Sequence, residues 1–136
     1  MGLFIVFGGP ALNEAYKSYK VRSVADGLAT DIRAQRYNAV SNRAPRTMTI
    51  NNQADATAPN QYSYTNYKGD AITVRLGGVN IETTSAASIT FNINGSTGAS
   101  GNSTVRVSMM INNERNDRYT ITVTPTGTVS TAYSTF

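Results

Sequence analysis

The feature that most constrains this chain is a change in the spacing of its apolar residues near Pro45. Before it, between residues 11 and 42, apolar side chains recur every three or four residues, which is the spacing of one face of an α-helix. After it, apolar and polar residues alternate, which is the spacing of a half-buried β-strand. The sequence therefore predicts a helix over 11–42, ended by Pro45, and a β-rich head over 46–130. The continuous stripe on the helix consists of Val21, Ala25, Leu28, Ile32, Gln35 and Ala39.

The predicted strands follow one another closely and are separated by glycine, asparagine and aspartate turns, so most of them must pair antiparallel. A chain of 136 residues is long enough for one modest core. We therefore predict an α+β fold in which a long N-terminal helix packs against a small antiparallel β-sheet head. Ile93 and Met109 are expected among the inward-facing side chains of the head. The predicted strands cover 47–51, 71–76, 79–82, 88–94, 104–111 and 119–124, with a last short strand around Val129.

A short apolar segment precedes the helix. Its run of apolar residues falls far short of the roughly 20 that a membrane-spanning helix needs, and it lacks the cationic start and cleavage site of a signal peptide. Because such a cluster is costly to expose to water, two interpretations of residues 1–9 stay open: an assembly segment buried against partners, or a terminus buried in the core of the single domain over residues 10–136. Gly8, Gly9 and Pro10 are expected to form a helix hinge, since glycine weakens a helix and proline removes a backbone donor. The predicted packing residues are Leu3, Phe4, Ile5, Val6 and Phe7.

Catalysis is not predicted. The chain contains no histidine and no cysteine, so the commonest general base, the thiol nucleophile and the commonest metal ligands are absent. Its acidic residues do not lie in apolar stretches that would raise a carboxyl pKa, and no glycine-rich segment has the strand–glycine–helix context of a phosphate-binding loop. We therefore predict no catalytic, cofactor-binding or metal-binding residues, and a protein that is not an enzyme.

Basic charge is concentrated in the first third of the chain. Residues 1–46 hold seven of the twelve basic residues but three of the eight acidic ones, so the net charge of +4 lies there. Two interpretations remain open, a solvated helix face and a contact surface for a polyanion. The candidate polyanion contacts are Arg33, Arg36, Arg43 and Arg46.

The segment from Val24 to Ile50 resembles the signature of the GspH/FimT family of type IV minor pilins and pseudopilins. In that signature a leucine and an Asp–apolar pair lead to an arginine, then to an alanine, and then to basic residues and a strand. Toward the C-terminus, SITFNINGS (88–96) is similar to the family's strand and turn, and Arg118 with Gly127-x-Val129 is similar to its closing hairpin. The matching positions in the signature are Leu28, Asp31, Ile32, Arg36, Ala39, Arg43, Pro45, Met48 and Ile50.

The resemblance implies a pilin fold and a structural role. In the family an uninterrupted apolar helix begins after a prepilin-peptidase site, and residues 3–10 resemble the second half of that helix. We therefore expect a minor pilin or pseudopilin of a type IV pilus or a type II secretion pseudopilus, whose N-terminal helix packs with those of other subunits. The implied location is extracytoplasmic. A full-length subunit would be anchored in the inner membrane before assembly and would then enter a periplasmic pseudopilus or a cell-surface pilus.

Two alternative functions stay open on the sequence. One is DNA binding at a pilus tip for DNA uptake, which some FimT-type proteins perform through a Gly-Arg-x-Arg motif; the corresponding stretch here, from Gly127 to Ser130, lacks both arginines. The other is adhesion to surfaces through Tyr62, Tyr64 and Tyr67. These tyrosines lie in a polar segment over 51–70 that is compatible with a short edge strand and with an exposed patch.

Overall fold

The computed structural model describes residues 2–51, 60–82 and 85–136, with helical side chains described from Leu12 onward. Within these ranges one helix is followed by eight strands, and every strand pairing is antiparallel. The predicted α+β architecture, a long N-terminal helix against antiparallel sheet, is confirmed. The elements are α1 (Gly2–Asn42), β1 (Arg46–Asn51), β2 (Gln61–Thr65), β3 (Ala71–Arg75), β4 (Asn80–Ile81), β5 (Ser88–Phe91), β6 (Ser103–Asn112), β7 (Arg115–Val123) and β8 (Val129–Thr135).

Helix α1 begins earlier than the predicted start at residue 11 and continues through the Gly8–Pro10 segment. Pro10 lacks the N–H that would bond the carbonyl of Val6. Only one backbone hydrogen bond of the helix is lost in this way, and the helix continues on both sides of Pro10. The hinge at these residues stays a prediction. The C-terminal end of the helix matches the prediction, because Arg43 takes a left-handed conformation (φ 50°) and the N–H of Ala44 bonds the carbonyl of Ala39 at 3.3 Å. This is the Schellman arrangement that closes many helices.

The strands form two four-stranded sheets instead of the single small sheet that the sequence suggested. The first sheet has the order β3-β2-β1-β5, and the second has the order β4-β6-β7-β8. Helix α1 packs against both of them, contacting β1 and β5 of the first sheet and β6, β7 and β8 of the second. One helix therefore joins two sheets that are otherwise separate ladders.

The core lies where the helix meets the two sheets. All six residues of the predicted helical stripe are buried, with Val21, Leu28 and Ile32 fully inaccessible to solvent. Each fully buried aliphatic side chain of this kind stabilises the fold by about 1.5–3 kcal/mol. The sheets contribute the remaining core residues, which include Met48, Ile50, Tyr62, Leu76, Val79, Ile81, Ile89, Phe91, Val105, Val107, Ile121 and Val123.

Three sequence predictions about the head are wrong in detail. Ile93 is 54% exposed because β5 ends at Phe91 and the chain turns there, with the N–H of Gly95 bonded to the carbonyl of Asn92 at 2.9 Å. The segment 61–65 is a strand inside the first sheet and is not an edge. The last strand, β8, is longer than the short strand expected around Val129, since it continues to Thr135 and pairs with β7 along its whole length.

Gln35 is a polar residue in the middle of the buried stripe. Its side chain is 1% exposed, and neither its amide nitrogen nor its amide oxygen has a hydrogen-bond partner among the described residues. A buried amide in this state costs about 1–3 kcal/mol. The helix therefore carries a local penalty at a position where an apolar side chain of the same size would fit.

Replacing Gln35 by Met should remove that penalty while conserving volume. We expect the free energy of unfolding to rise by about 1–2 kcal/mol, measured by urea denaturation of the purified protein. The control Gln35→Glu has nearly the same shape but places a charge in the core, so it should destabilise strongly. A loss of stability in Gln35→Met would mean that the amide has a partner in solution.

Candidate assembly surface

The predicted packing residues Leu3, Phe4, Ile5, Val6 and Phe7 all lie within the first turns of α1. Their side chains fall outside the described part of the chain, so their role stays a prediction. What the structure describes is the next part of the same helix, and it carries apolar side chains that the head leaves uncovered.

Leu12, Tyr16 and Tyr19 are 65%, 61% and 69% exposed, respectively. They were part of the three- and four-residue spacing in the sequence, but they lie on a different face of α1 from the buried stripe. Steps of four and three residues keep these three side chains on one face of the helix. We call Leu12, Tyr16 and Tyr19 the assembly face. The periodicity alone did not distinguish these exposed side chains from those of the core.

Hydrogen bonds join the head to the helix immediately beside the assembly face. The Ser18 hydroxyl donates to Oδ2 of Asp117 at 3.0 Å, and Asn112 donates to Oε1 of Glu14 at 3.4 Å. Asp117 is 2% exposed, forms an ion pair with Arg115 at 3.2 Å and accepts a hydrogen bond from the Tyr133 hydroxyl at 3.0 Å. A buried carboxylate needs such partners to remain charged. This network fixes the rotation of α1, and therefore the direction in which the assembly face points.

Arg36 holds the opposite end of the head together. Its Nε donates to the carbonyl of Gly95 at 3.1 Å, and its Nη2 reaches the carbonyl of Thr126 at 3.5 Å. Gly95 follows β5 of the first sheet, and Thr126 lies in the turn between β7 and β8 of the second. A single guanidinium group on the helix therefore joins the ends of both sheets, as a five-donor planar group can.

Gly127 packs closely against this contact between Arg36 and Gly95. It has φ +94°, and a Cβ at this position would overlap the carbonyl oxygen of Gly95 and lie 2.7 Å from Nε of Arg36. Glycine is required for both reasons, the backbone conformation and the close approach. Arg36 and Gly127, which the sequence singled out separately, thus belong to one structural contact.

Two of the four candidate polyanion contacts line one cleft, and the role of all four as polyanion contacts stays a prediction. Arg33 and Arg36 line a cleft of about 530 Å³ together with Tyr37, Val40 and residues 127–129. Arg33 donates to the carbonyl of Val129 at 3.2 Å, so both of these arginines already bond the head.

The other two candidates lie at the end of the helix and do not line that cleft. Arg43 is the left-handed capping residue of α1. Arg46 is half-buried in β1, and its Nε is buried without a hydrogen-bond partner among the described residues.

The three tyrosines of the predicted adhesive patch are divided between the interior and the surface. Tyr62 is 3% exposed, and its hydroxyl donates to Oδ2 of Asp31 on the helix at 2.5 Å. Tyr64 lies half-buried beside it, with ring centroids 6.3 Å apart. Only Tyr67 is exposed, at 67%, with Lys68 over its ring. Tyr62 therefore fastens the first sheet to the helix, and a three-tyrosine adhesive surface does not exist here.

Two negative findings apply to the described residues. Within these ranges there is no cluster of three or more acidic, histidine or cysteine side chains suited to a metal ion. In the same part of the chain, no helix combines the length and the apolar character needed to cross a membrane.

Replacing Tyr62 by Phe should change how stability depends on alkaline pH. Burial, and then the hydrogen bond to Asp31, raise the pKa of Tyr62 well above its ordinary value of 10. The folded protein therefore keeps this proton where the unfolded chain releases it, and the free energy of unfolding should fall above about pH 10 by roughly 1.4 kcal/mol per pH unit from this group. Tyr62→Phe should lose that part of the slope, while the exposed control Tyr37→Phe keeps it. Equal slopes for the two variants in denaturation series between about pH 9 and pH 11.5 would contradict the assignment.

Replacing Gly127 by Ala separates close packing from backbone strain when it is compared with Gly69→Ala. Gly69 has φ +90° but nothing within 4 Å of the place a Cβ would occupy, so its substitution should cost about 1–2 kcal/mol for conformation alone. Gly127→Ala should cost about 1–3 kcal/mol more, because the added methyl group displaces Gly95 and Arg36. Thermal denaturation of both variants measures the difference. Equal losses of stability in the two variants would show that the contact between Arg36 and Gly95 does not require a glycine at position 127.

The whole architecture is similar to one solved structure of known role. The crystal structure of the type IV minor pilin FimU of Pseudomonas aeruginosa (strain PAO1) superimposes with a TM-score of 0.60, covering 85% of this chain and 90% of that chain at 15% sequence identity. No model of a known protein family matches the sequence, and no curated protein matches it. At this level of identity the likeness establishes the fold: one long N-terminal helix packed against antiparallel sheets, as in a type IV minor pilin.

Proposed function

We propose that this chain is a structural subunit of an extracytoplasmic filament of the type IV pilus class. The observation that carries the proposal is the division of α1 into a stripe buried by the head and a separate, exposed assembly face of Leu12, Tyr16 and Tyr19. The similarity to a type IV minor pilin supports it at the level of the fold. The GspH/FimT assignment, and a place in a pilus or in a type II secretion pseudopilus, rest on the sequence resemblance.

The proposed mechanism is helix-to-helix assembly. Exposed apolar side chains that continue an apolar run along one helix favour packing against other helices, because each one buried contributes about 1.5–3 kcal/mol. The head does not use this face, since its contacts with the helix lie on the buried stripe and on polar anchors such as Ser18. The subunit therefore folds with one helical surface still available for a partner, and other pilin or pseudopilin subunits are the proposed partners.

DNA binding is the weaker alternative. Arg33 and Arg36 are oriented by carbonyl groups of the β7–β8 turn, of Val129 and of the segment after β5, which accounts for their conformations without a ligand. The net charge of +4 supplies general attraction to polyanions but no localised site. No geometric feature of the described residues favours DNA over assembly.

The test places charges on the assembly face of the full-length subunit in cells that build the filament. Leu12→Asp combined with Tyr16→Asp should reduce the amount of subunit in sheared filaments by at least about tenfold, since burying two charges costs more than the roughly 1.4 kcal/mol that a tenfold change requires. Phe4→Asp combined with Phe7→Asp should have the same effect if the first turns pack in the same interface.

The matched control is Tyr37→Asp combined with Val40→Asp, which changes exposed apolar side chains (71% and 47%) near the other end of the same helix. This pair should leave incorporation close to that of the parent. Thermal unfolding of each purified variant excludes misfolding as the cause. Normal incorporation of the Leu12/Tyr16 variant, or an equal loss in the control, would contradict the proposal.

A further inference from the structure

Strand β8 is one edge of the second sheet, and no strand among the described residues pairs with its outer side. It pairs with β7 along its whole length, from Asp117↔Thr135 to Val123↔Val129, without a bulge. Residues 130–135 are all exposed. The strand is nevertheless firmly placed, because the Tyr133 hydroxyl bonds Asp117 at 3.0 Å and the Arg118 guanidinium lies 4.0 Å from the Phe136 ring centroid. It is a rigid, preformed edge.

The hydrogen bonds of the hairpin show which backbone groups face outward. Asn116 and Phe136 exchange both of their backbone bonds, at 2.8 and 3.0 Å. Antiparallel strands alternate such bonded pairs with pairs whose backbone N–H and C=O groups point away from each other. The backbone groups of the even-numbered residues of β8 therefore point toward β7, and those of the odd-numbered residues point outward. The carbonyl of Val129 fits this phase, since Arg33 bonds it from outside the sheet. Among the described residues, the outward backbone groups of Thr131, Tyr133 and Thr135 have no partner.

This edge lacks the features that normally prevent strand addition. Natural edges are short, charged, bulged or interrupted by proline. The edge strands β4 and β5 have two and four residues, and β3 ends in Arg75. Strand β8 has seven residues, with neither a charged residue nor a proline among them. Of the four described sheet edges, β8 is therefore the one suited to receive another strand.

We infer that β8 pairs with β8 of a second copy of this chain, antiparallel about a two-fold axis at Ala132. The outward backbone groups of Thr131 and Tyr133 lie on either side of this residue, so the strand offers the same bonding pattern in both directions, and Ser130 and Ser134 flank it symmetrically at two residues. In this register Thr131 of each copy exchanges backbone bonds with Tyr133 of the other, and Ala132 faces Ala132. No like charges oppose each other, which removes the usual electrostatic cost of pairing a strand with itself.

The pair has a defined geometry and a limited strength. A two-fold axis reverses one helix relative to the other, so this contact cannot join neighbours in a filament whose helices all point the same way. It joins unassembled subunits, or subunits of separate filaments, and it does not depend on the assembly face. An edge-to-edge contact of seven residues belongs to the small interface class, below roughly 1,200 Å² of buried surface. The association is therefore weak and is best detected by covalent trapping.

The absence of cysteine from the chain makes that trapping specific. In the proposed register residue 132 faces its own copy as a non-hydrogen-bonded pair, with Cα atoms about 4.5 Å apart, which suits a disulfide. Ala132→Cys should form a disulfide-linked dimer at least about tenfold faster than Ser130→Cys or Ser134→Cys alone, because those positions lie more than about 7 Å from their own copies. A mixture of Ser130→Cys and Ser134→Cys should cross-link, since the register places these two positions opposite each other.

A second variant tests the backbone bonds themselves. Thr131→Pro removes an outward N–H and leaves the bonds to β7 in place, and edge strands tolerate proline at such positions. In the Ala132→Cys background it should abolish fast cross-linking, with little change in the thermal unfolding temperature. Equal cross-linking rates for all three single cysteines would overturn the inference. So would faster cross-linking of Ala132→Cys to Thr73→Cys on β3, which would assign the edge to a different strand of the second copy.

Discussion

The fold depends on the burial of one helical stripe against two separate sheets. From Val21 to Ala39 the same face of α1 supplies the core side chains for both ladders, and the helix contacts the inner strands of each. The helix is therefore the common packing partner of the two sheets. A helix rotated by one residue, or about 100°, would take Ile32 out of the core and bring charged Asp31 or Arg33 into its place. The position of the stripe therefore decides which side chains remain on the surface.

Polar contacts fix that rotation more strictly than apolar packing does. Asp31 accepts from Tyr62 of the first sheet, Ser18 donates to Asp117 of the second, and Arg36 joins the ends of both. Apolar packing tolerates small shifts, whereas a buried hydrogen bond is lost when its partners move apart and leaves a costly unpaired group. With these three contacts on the head side, Leu12, Tyr16 and Tyr19 are held on the solvent side. The assembly face is therefore a consequence of how the core is fastened.

The helix and the fold class were predictable because their signals are local. The spacing of Val21, Leu28 and Ile32 identifies the helix and its buried face, and Pro45 identifies its end. The division into two sheets was not predictable, since it depends on which strands pair across long stretches of chain. The exposure of Tyr16 and Tyr19 was also missed, because a three- and four-residue spacing on its own does not say which of two helix faces the head covers.

The structural role of Arg36 was not predictable either. The sequence singled out Arg36 and Gly127 separately, and the charge of Arg36 suggested a surface contact. In the structure its guanidinium bonds the carbonyl of Gly95, next to Gly127, where a side chain would not fit. Residues separated by about ninety positions in sequence meet there, and no local pattern contains that information. The same holds for β8, because its Ser and Thr residues do not indicate that the strand continues to Thr135 as an exposed sheet edge beside β7.

The central claim is that the exposed face of α1 packs against helices of other subunits. Photo-cross-linking from residue 16 measures this most directly: a benzophenone side chain replaces Tyr16 in the full-length subunit, filaments are sheared from cells after irradiation, and the cross-linked peptide is sequenced. We predict covalent attachment to the N-terminal helix of another pilin or pseudopilin subunit. The same group placed at residue 37 should not attach to a helix of another subunit. Attachment within the chain's own head, or to a protein that is not a filament subunit, would contradict the account.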